Sequence, residues 1–390
     1  MNVVLVGPFG LWPRGTMGSR ALPMAKALAA RGHTATVLLP PWQNPEDSGK
    51  CWEEDGVAIE NIHLPPGIPG LFHLLTAFRL ARRALALRPD VIHLFKPKAY
   101  SGLAHWLLRL LPRRPRLVVD TDDWEGPGGW NDLAHYSFAQ RRFFTWQERW
   151  GLTHAGAVTV ASRALESLVW ALGVSPRQVF YVPNGVSEEW QTGGERTGAA
   201  ESQPCILLYT RFFEFNVARV VQVLRRVRER VPAARLLVVG KGLFGEEEQL
   251  LRLAQDAGLD GAVEYVGWVE PESLPGYFAR ADLAIYPFDD TLVNRTKCAA
   301  KLRDLLAAGI PVVAEAIGQN REMIRHRETG WLVQPGDALA FADAVIRLMQ
   351  DAALRERLGQ AAAHDVWDRL AWKRLVEVVE RAYRVGEVRE

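Results

Sequence analysis

Short apolar runs rich in β-branched residues alternate with amphipathic stretches along the whole chain. In the first half, the runs predicted to be strands are Val3–Val6, Thr36–Leu39, Val91–Leu94, Leu117–Val119, Val158–Ala161 and Val179–Val182. In the second half they are Ile206–Tyr209, Leu236–Val239, Val263–Val266, Leu283–Tyr286 and Val312–Ala314. Continuous apolar strands separated by helices are typical of parallel sheets that are covered on both faces. The pattern therefore predicts an α/β protein.

A polar stretch without periodicity, residues 187–203, is the predicted linker between two domains. It divides the 390 residues into two α/β halves, each long enough to bury a full core. We expect an N-terminal domain at 1–186 and a C-terminal domain at 204–364. Ligands of such sheets bind beyond the carboxyl ends of the strands. Two Rossmann-like domains of this kind, facing each other across a cleft, would hold the ligand between them.

Composition excludes several classes of protein and leaves an ordinary globular chain. The formal net charge is +2, so the bulk charge argues for no particular partner, and we expect no nucleic-acid partner. The three cysteines are far apart and have no partner at metal-binding spacing, so we expect a reducing cytoplasm and no structural zinc. No targeting segment and no apolar stretch of membrane-spanning length is apparent.

Two basic and apolar segments leave a peripheral membrane contact open. Residues 70–88 and 102–116 combine Leu, Phe or Trp with clustered arginines at helical spacing. Helices of this composition can lie on an anionic bilayer. The alternative is that they face a core and carry their arginines on a solvated rim.

Two glycine-containing loops follow predicted strands and open predicted helices. The first runs from Gly7 to Arg20 and includes Gly15 and Thr16, small residues that let backbone N–H groups approach an anion or a sugar; a plain loop is the alternative. The second contains Gly240, Gly242 and Gly245 in the G-x-G-x-x-G spacing of dinucleotide sites. The acidic residue such a site needs would be Glu264, but it lies inside a strand, so NAD binding remains an alternative only.

Charged residues follow or flank other strands at places that suit a phosphate or a sugar. Arg211 follows the strand CILLYT, and a guanidinium binds phosphate oxygens in pairs. Lys301 and Asp304 are three residues apart on one helical face, where a cation could hold phosphate and a carboxylate a diol. Asp122 and Asp123 follow the strand RLVV and could bind a metal, act as a base or hold sugar hydroxyls. The alternatives are a solvated arginine, a surface ion pair and turn formation.

In this order, the pieces resemble the GT-B glycosyltransferases, specifically the large retaining family often called family four. The segments that carry the resemblance are Ala27–His33, Ala157–Ser162, Val182–Val186, Val239–Gly242, Val266–Val269, Glu322, Thr329–Val333 and Pro335–Asp337. Trp372 is similar to the tryptophan that begins the family's terminal helix. The resemblance implies that residues 365–390 return to the N-terminal domain.

The resemblance assigns expected roles in a nucleotide-sugar site. Arg211 is similar to the family's diphosphate-binding arginine, and the position of its usual partner lysine is Asn216. The family's two acidic residues fall on Thr296 and Asp304, so the first is absent and the second is shortened. A lysine-rich variant of the pattern matches better and implies that Lys301 is the second phosphate cation and Asp304 the ribose contact. The other donor-binding residues we expect are Gly15, Thr16, Gly240, Gly242, Val266, Trp268, Asn294 and Lys297.

The implied reaction is a retaining transfer of a sugar from a nucleotide-diphosphate sugar to an acceptor hydroxyl, without metal or cofactor. Arg211 and Lys301 would stabilise the leaving diphosphate, and Asp122 and Asp123, where the family often has His-Asp, would face the sugars. The resemblance leaves a lipid-linked or a saccharide acceptor open, in the cytoplasm or at the inner membrane face. The alternatives are a non-catalytic scaffold, a nucleotide-sugar epimerase of the same fold and an NAD-binding oxidoreductase.

Overall fold

The structure is a computed structural model that describes residues 1–12, 15–68, 71–186 and 203–385. Most of the predicted linker, residues 187–202, lies outside the described residues. All eleven predicted strands are present, and three more are found at Cys51–Glu54, Val57–Asn61 and Trp331–Val333. No helix in these ranges is both long enough and apolar enough to cross a bilayer.

The described strands are β1 (Asn2–Val6), β2 (Thr34–Leu39), β3 (Cys51–Glu54), β4 (Val57–Asn61), β5 (Val91–Phe95), β6 (Arg116–Thr121), β7 (Ala157–Val160), β8 (Val179–Tyr181), β9 (Cys205–Tyr209), β10 (Arg235–Val239), β11 (Val263–Gly267), β12 (Leu283–Tyr286), β13 (Val312–Glu315) and β14 (Trp331–Val333). The described α-helices are α1 (Leu22–Ala30), α2 (Leu71–Ala86), α3 (Ala99–Arg109), α4 (Trp130–Leu133), α5 (Phe138–Thr153), α6 (Arg163–Ala171), α7 (Val217–Arg228), α8 (Glu246–Asp256), α9 (Leu274–Ala279), α10 (Leu292–Thr296), α11 (Ala300–Ala307), α12 (Asn320–Met323), α13 (Ala338–Gln350), α14 (Ala352–Arg369) and α15 (Trp372–Arg384). A π-helical turn, Met17–Ala21, leads into α1.

The chain forms two compact units. The first contains Met1–Gly185, Thr296–Cys298 and the chain from Trp372 onwards, and the second contains Val186–Arg295 and Ala299–Ala371. The chain therefore rejoins the first unit at Trp372 and not at residue 365. The reason is packing, because Val366 and Leu370 are buried in a core of the second unit, whereas Val376 is buried in the core of the first.

The first unit has an eight-stranded sheet in the order β3-β4-β2-β1-β5-β6-β7-β8. Its strand pairs are parallel, as predicted, apart from β3 and β4, which form an antiparallel hairpin at one edge of the sheet. Asp55 and Gly56 join these two strands, and both have positive φ (48° and 76°). An Asp-Gly loop with this geometry is a favoured two-residue hairpin turn, which explains the reversal of direction.

The second unit has a six-stranded parallel sheet in the order β11-β10-β9-β12-β13-β14. Counted from β9, this is the 3-2-1-4-5-6 order of the Rossmann fold, and ligands bind where the order reverses, beyond the carboxyl ends of the first and fourth strands. The reversal lies between β9 and β12 here and between β1 and β5 in the first sheet. Each unit thus has a site predicted by its topology.

Candidate functional site

The carboxyl end of β9 carries the most informative residues of the second unit. Tyr209 ends the strand, and Arg211 follows it with an exposed side chain. The Lys301 ammonium lies over the Tyr209 ring, 3.4 Å from its centroid. Burial, reinforced by Asp304, raises the pKa of the Tyr209 hydroxyl. The structure therefore brings Lys301 and Asp304, both on α11, to the strand that Arg211 follows.

Asp304 is held by a neighbour that the sequence analysis did not consider. Its Oδ1 accepts hydrogen bonds from Nε and Nη2 of Arg303, at 3.0 and 2.5 Å. Both side chains are mostly buried, at 8% and 9% exposure. A charge-assisted pair of this kind fixes the orientation of the carboxylate. Any ribose contact of Asp304 would therefore be made by a carboxylate that is already fixed in place.

A second group of charges lies beyond β12 and β13. Arg219, in the first turn of α7, is 2.8 Å from Asp289 and 3.3 Å from Glu315. Glu315 is fully buried, and its Oε2 accepts the Phe288 N–H at 2.8 Å. Burial raises the pKa of Glu315 to about 7, although Arg219 opposes the shift. Arg219 is thus a cation near the switch point that the sequence analysis missed.

The two predicted asparagines of this unit brace loops. Asn216 caps α7, because its Oδ1 accepts the Ala218 N–H at 2.9 Å. Asn294 is buried and donates from Nδ2 to the carbonyls of Glu214 and Asp289, at 2.6 and 2.9 Å. These bonds connect the loop after β9 to the loop after β12. Their local role is to hold these two loops together.

The glycine-containing turn after β10 packs closely against the loop after β9 and is hydrogen-bonded by a glutamate of α8. Gly240 has φ 131°, and a Cβ there would lie 1.9 Å from the Thr210 carbonyl oxygen, so only glycine fits. Gly242 N–H donates to Glu247 Oε2 at 3.1 Å. Helix α8 begins with three glutamates, which would repel a pyrophosphate at its N-terminus. The hydrogen bond from Arg280 lowers the pKa of Glu264, which is therefore already paired. This turn does not fit a dinucleotide.

The predicted base-packing residues follow the neighbouring strand. Val266 is half-buried in β11, and Trp268 is exposed just after it. Gly267 between them has φ 84°, so the chain turns at this point. An exposed tryptophan beyond a strand end is available for stacking on a flat ring.

In the first unit, the two predicted aspartates form part of a larger cluster. The Lys96 ammonium is 3.2 Å from Asp122, 2.9 Å from Asp123 and 3.4 Å from Glu125. Burial alone would lower the pKa of Lys96, but the three carboxylates outweigh it and raise that pKa well above its usual value. Burial raises the pKa of Asp123, while Lys96 opposes the shift. Lys98 adds a second cation, 2.6 Å from Glu125, so the cluster holds its three acids around two lysines at the carboxyl ends of β5 and β6.

A buried network of hydrogen bonds surrounds Asp120, two residues before Asp122. Arg20 donates to both oxygens of Asp120, at 2.8 and 2.6 Å, and to Asn184 Oδ1 at 3.1 Å. Thr159 donates to Asp120 at 2.5 Å and contacts His93 Nε2 at 3.1 Å. Burial and the charge of Arg20 lower the pKa of His93 to about 3, so its ring is neutral. All of these groups are buried, and each is hydrogen-bonded, as buried polar groups must be.

The loop after β1 reaches the same cluster. Thr16 Oγ1 donates to Asp122 Oδ2 at 3.0 Å, and Gly15, next to it, is exposed. Thr296 and Lys297 also belong to the first unit, and both are buried. The Thr296 carbonyl accepts a hydrogen bond from Ser162 Oγ at 2.7 Å. The structure thus places Thr16 beside Asp122 and Asp123, and in the other unit it places Lys301 and Asp304 near Tyr209, two residues before Arg211.

Sequence reasoning missed Arg20, Lys96, Glu125, Tyr209 and Arg219. The signal for Lys96 was available, because Lys-Pro-Lys begins two residues after the predicted strand ends at Leu94. Arg20 lies in the helical turn after the β1 loop, and Arg219 lies in the first turn of α7, after the β9 loop. Neither residue belongs to a motif with a recognisable spacing. Within the described ranges, no three His, Cys, Asp or Glu side chains are grouped so that they could hold a metal ion.

Comparison with known proteins agrees with this division. The profile of the glycosyl transferase 4-like domain matches residues 15–185, and the profile of the glycosyl transferases group 1 matches residues 203–351. The chain is 26% identical over 389 residues to the phosphatidyl-myo-inositol mannosyltransferase of Mycobacterium leprae (strain TN), covering 98% of this chain and 96% of that protein.

Solved structures resemble the chain over nearly its whole length. Sucrose-phosphate synthase (tll1590) from Thermosynechococcus elongatus has a TM-score of 0.73 at 21% identity and covers 98% of each chain. Anabaena Alr3699/HepE in complex with UDP-glucose has a TM-score of 0.70 at 17% identity and covers 100% of each chain. These likenesses show the fold, and the profile matches show the family. The chain therefore belongs to the group 1 glycosyltransferases of GT-B fold, and it is an enzyme that transfers sugar.

Proposed function

We propose that this chain is a retaining glycosyltransferase that moves a sugar from a nucleotide-diphosphate sugar to an acceptor hydroxyl. The observation that carries the proposal is the position of Lys301 over the Tyr209 ring, on the strand that Arg211 follows. Both cations are thereby associated with the carboxyl end of β9, where the strand order reverses. This is the place where a doubly wound sheet binds its ligand.

Arg211 and Lys301 stabilise the diphosphate as it leaves and gains negative charge. Preorganised cations of this kind typically lower a barrier by several kcal/mol, because they do not have to reorient during the reaction. Tyr209 holds Lys301 by a cation–π contact, which limits the directions in which its ammonium can point. Asp304, fixed by Arg303, binds the ribose hydroxyls, and Trp268 packs near the base.

Retention follows from attack on the face that the diphosphate leaves, with the leaving phosphate accepting the proton of the acceptor. No protein nucleophile is needed for this route. Asp122 and Asp123, kept together by Lys96, bind hydroxyls of the sugars. Because the fixed cations are side chains, the reaction proceeds without a metal ion or other cofactor. Gly15 and Thr16 line the approach to these carboxylates.

The acceptor is a lipid-linked or saccharide hydroxyl, and the enzyme works in the cytoplasm at the inner face of the membrane. The name of the M. leprae relative, which includes phosphatidyl-myo-inositol, supports a lipid-linked acceptor for this chain. The basic and apolar helices α2 and α3 support a position on the membrane surface.

A thermal-shift screen against UDP, GDP, ADP, TDP and their sugars tests the donor site. We expect one nucleotide to raise the melting temperature, because a ligand at a hundred times its dissociation constant adds about 2.7 kcal/mol. The shift should disappear in Arg211→Ala and in Lys301→Ala, persist in the exposed control Arg252→Ala, and persist with EDTA. A folded protein that responds to none of these ligands would overturn the proposal. NMR of the product anomer then tests retention.

A further inference from the structure

Helix α2 exposes an apolar stripe in the first unit. Leu71, Leu74 and Phe78 are all about half exposed or more, at spacings of three and four residues that place them on one face. The opposite face is buried and includes Ala77, Leu80 and Ala84. A stripe of large apolar side chains facing outwards is unusual on a helix whose other side already packs on a core.

The neighbouring helices extend this apolar surface. Helix α3 packs against both α2 and α5. Trp106 is exposed on α3, and Leu110, which follows α3, is 63% exposed. On α5, Phe138 is 77% exposed, and Trp146 is also exposed. Tryptophan and phenylalanine at the edge of an apolar surface are typical of helices that lie in a bilayer interface.

The charge of this surface has one sign. Residues 71–88 and 99–116 contain eight arginines and no Asp or Glu. The acid within α5, Glu148, is fully buried. Arg83 is paired with Glu60 at 2.6 Å, so its charge is balanced within the chain. The other arginines give the surface a positive potential that complements an anionic bilayer.

Four of the eight arginines line a cleft of about 860 Å³ at the ends of α3 and α5. The basic side chains of its lining are Arg109, Arg113, Arg114, Arg116 and His154. The described residues that line it include no Asp or Glu. Nε of Arg109 is buried and has no hydrogen-bond partner, which is costly unless a ligand supplies one.

Some of this charge is already used within the chain. Arg114 donates to the Leu111 carbonyl at 3.1 Å, and Arg116 donates to the Tyr383 carbonyl at 2.8 Å. A guanidinium has five N–H donors, so the bond to the Leu111 carbonyl leaves most of the donors of Arg114 for other partners. Arg113 is exposed beside them. A phosphate group could accept from several of these donors at once.

The position of the cleft separates it from the donor site. Arg116 begins β6, and Gly156 directly precedes β7, so the cleft lies at the amino ends of these strands. Nucleotide ligands of such sheets bind at the carboxyl ends. The cleft adjoins the apolar surface instead, because His154 stacks on Trp150 with ring centroids 4.5 Å apart, and Trp150 stacks on Trp146.

We infer that the arginine cleft binds the phosphate of an anionic lipid headgroup while the exposed apolar side chains of α2, α3 and α5 enter the bilayer interface. The inference rests on the membrane contact of the proposed function and adds the residues and the lipid chemistry. The apolar side chains anchor the protein by inserting into the bilayer interface. The cleft makes the protein prefer lipids with a negatively charged phosphate. A free phosphate would use the cleft alone.

Sedimentation with vesicles tests the electrostatic part. The full chain should bind vesicles of phosphatidylcholine with 30% phosphatidylglycerol and bind pure phosphatidylcholine vesicles weakly. Arg113→Glu/Arg114→Glu should lower the partition coefficient by roughly thirtyfold or more, the factor that corresponds to about 1 kcal/mol per basic side chain at an anionic surface. The control Arg225→Glu/Arg252→Glu, on exposed side chains of the second unit, makes the same change in net charge and should bind like the wild type.

A second pair of variants tests the apolar part. Leu74→Ser/Phe78→Ser should weaken binding to the anionic vesicles, whereas Leu243→Ser/Leu339→Ser, also exposed but in the second unit, should not. All four side chains are exposed, so the variants are expected to fold. Equal binding by both pairs would overturn the insertion of α2.

Titration with inorganic pyrophosphate separates a lipid from a free anion. Pyrophosphate binding that Arg113→Glu/Arg114→Glu abolishes, in a protein that ignores anionic vesicles, would overturn the lipid assignment. Equal binding to neutral and anionic vesicles would do the same. The nucleotide thermal shift, measured without lipid, reports the donor site independently. A protein that binds nucleotide but no vesicle would refute this inference and leave the sugar-transfer proposal standing.

Discussion

Lys96 has φ 50°, a conformation that costs a lysine energy, and it places its ammonium among three carboxylates. Strain of this kind persists where the surroundings enforce it, and it is concentrated at functional sites. We interpret Lys96 as a positioning residue for Asp122 and Asp123. Its backbone N–H donates to the Asp120 carbonyl at 2.9 Å, which fixes the turn after β5.

Lys96→Met should lower kcat by roughly a hundredfold, the scale of a misplaced contact in an active site. Because Lys96 holds the pKa of Asp123 down against burial, its removal should also move the acidic limb of the pH profile to higher pH. The control is Lys98→Met, whose ammonium pairs with Glu125 at 2.6 Å and lies in the same cluster. A pH profile unchanged in Lys96→Met would refute the positioning role.

Glu315 makes stability depend on pH. Its pKa is about 7 in the folded protein against an ordinary value of 4.5, chiefly because it is buried. The folded state therefore holds the proton more tightly, and the stability that this supplies is lost as pH rises from about 4.5 through 7. We expect the unfolding free energy of Glu315→Gln, relative to wild type, to be higher at pH 8 than at pH 5 by up to about 3 kcal/mol. Urea unfolding at both pH values measures the difference in unfolding free energy between the variant and the wild type. If that difference were the same at pH 5 and pH 8, it would contradict the raised pKa of Glu315.

At the scale of elements, the apolar runs predicted eleven strands correctly because most of them are buried runs, the exceptions being β8 and β11, which are mostly half-buried. The missed strand β3 has exposed or half-buried residues throughout, so no apolar run marks it. Its turn residues, Asp55 and Gly56, did carry a hairpin signal. Strand β14, Trp331–Val333, was also missed. The missed strands β3, β4 and β14 lie at or next to an edge of their sheets, although the edge strands β8 and β11 were predicted.

The turn between β10 and α8 depends on Gly240. Gly240→Ala should lower the unfolding free energy by about 3 kcal/mol or more, because the new Cβ would meet the Thr210 carbonyl oxygen at 1.9 Å and the φ of 131° is strained for alanine. Gly261→Ala is the matched control, since no atom lies within 4 Å of its Cβ position. Chemical denaturation measures both variants. If they were equally stable, the close approach to Thr210 would not be what requires glycine.

At the scale of the molecule, sequence reasoning predicted two α/β units. It also selected candidate site residues after β9 and on α11, because they follow a strand or share one face of a helix. It could not predict which distant residues meet. Lys301 and Tyr209 are 92 positions apart, and Lys96 meets acids that lie 26 to 29 positions further on. Sequence reasoning identified Trp372 as the start of the terminal helix but placed the return of the chain at residue 365, because only packing shows that the end of α14 belongs to the second unit and α15 to the first.

Helix α15, where the chain rejoins the first unit, is joined to the core of that unit by a buried hydrogen bond. The Tyr383 hydroxyl lies 2.9 Å from His93 Nδ1, across 290 positions of sequence. Tyr383→Phe keeps the shape of the ring but leaves a buried ring nitrogen without its partner, which costs about 1–3 kcal/mol. We expect faster amide hydrogen exchange in β1 and β5 and unchanged exchange in β9 and β10, because the two sheets belong to different units. Tyr265→Phe, half-buried on β11, is the control and should leave β1 and β5 unaffected. Equal acceleration in both sheets after Tyr383→Phe would mean that α15 stabilises the chain as a whole and not the first unit alone.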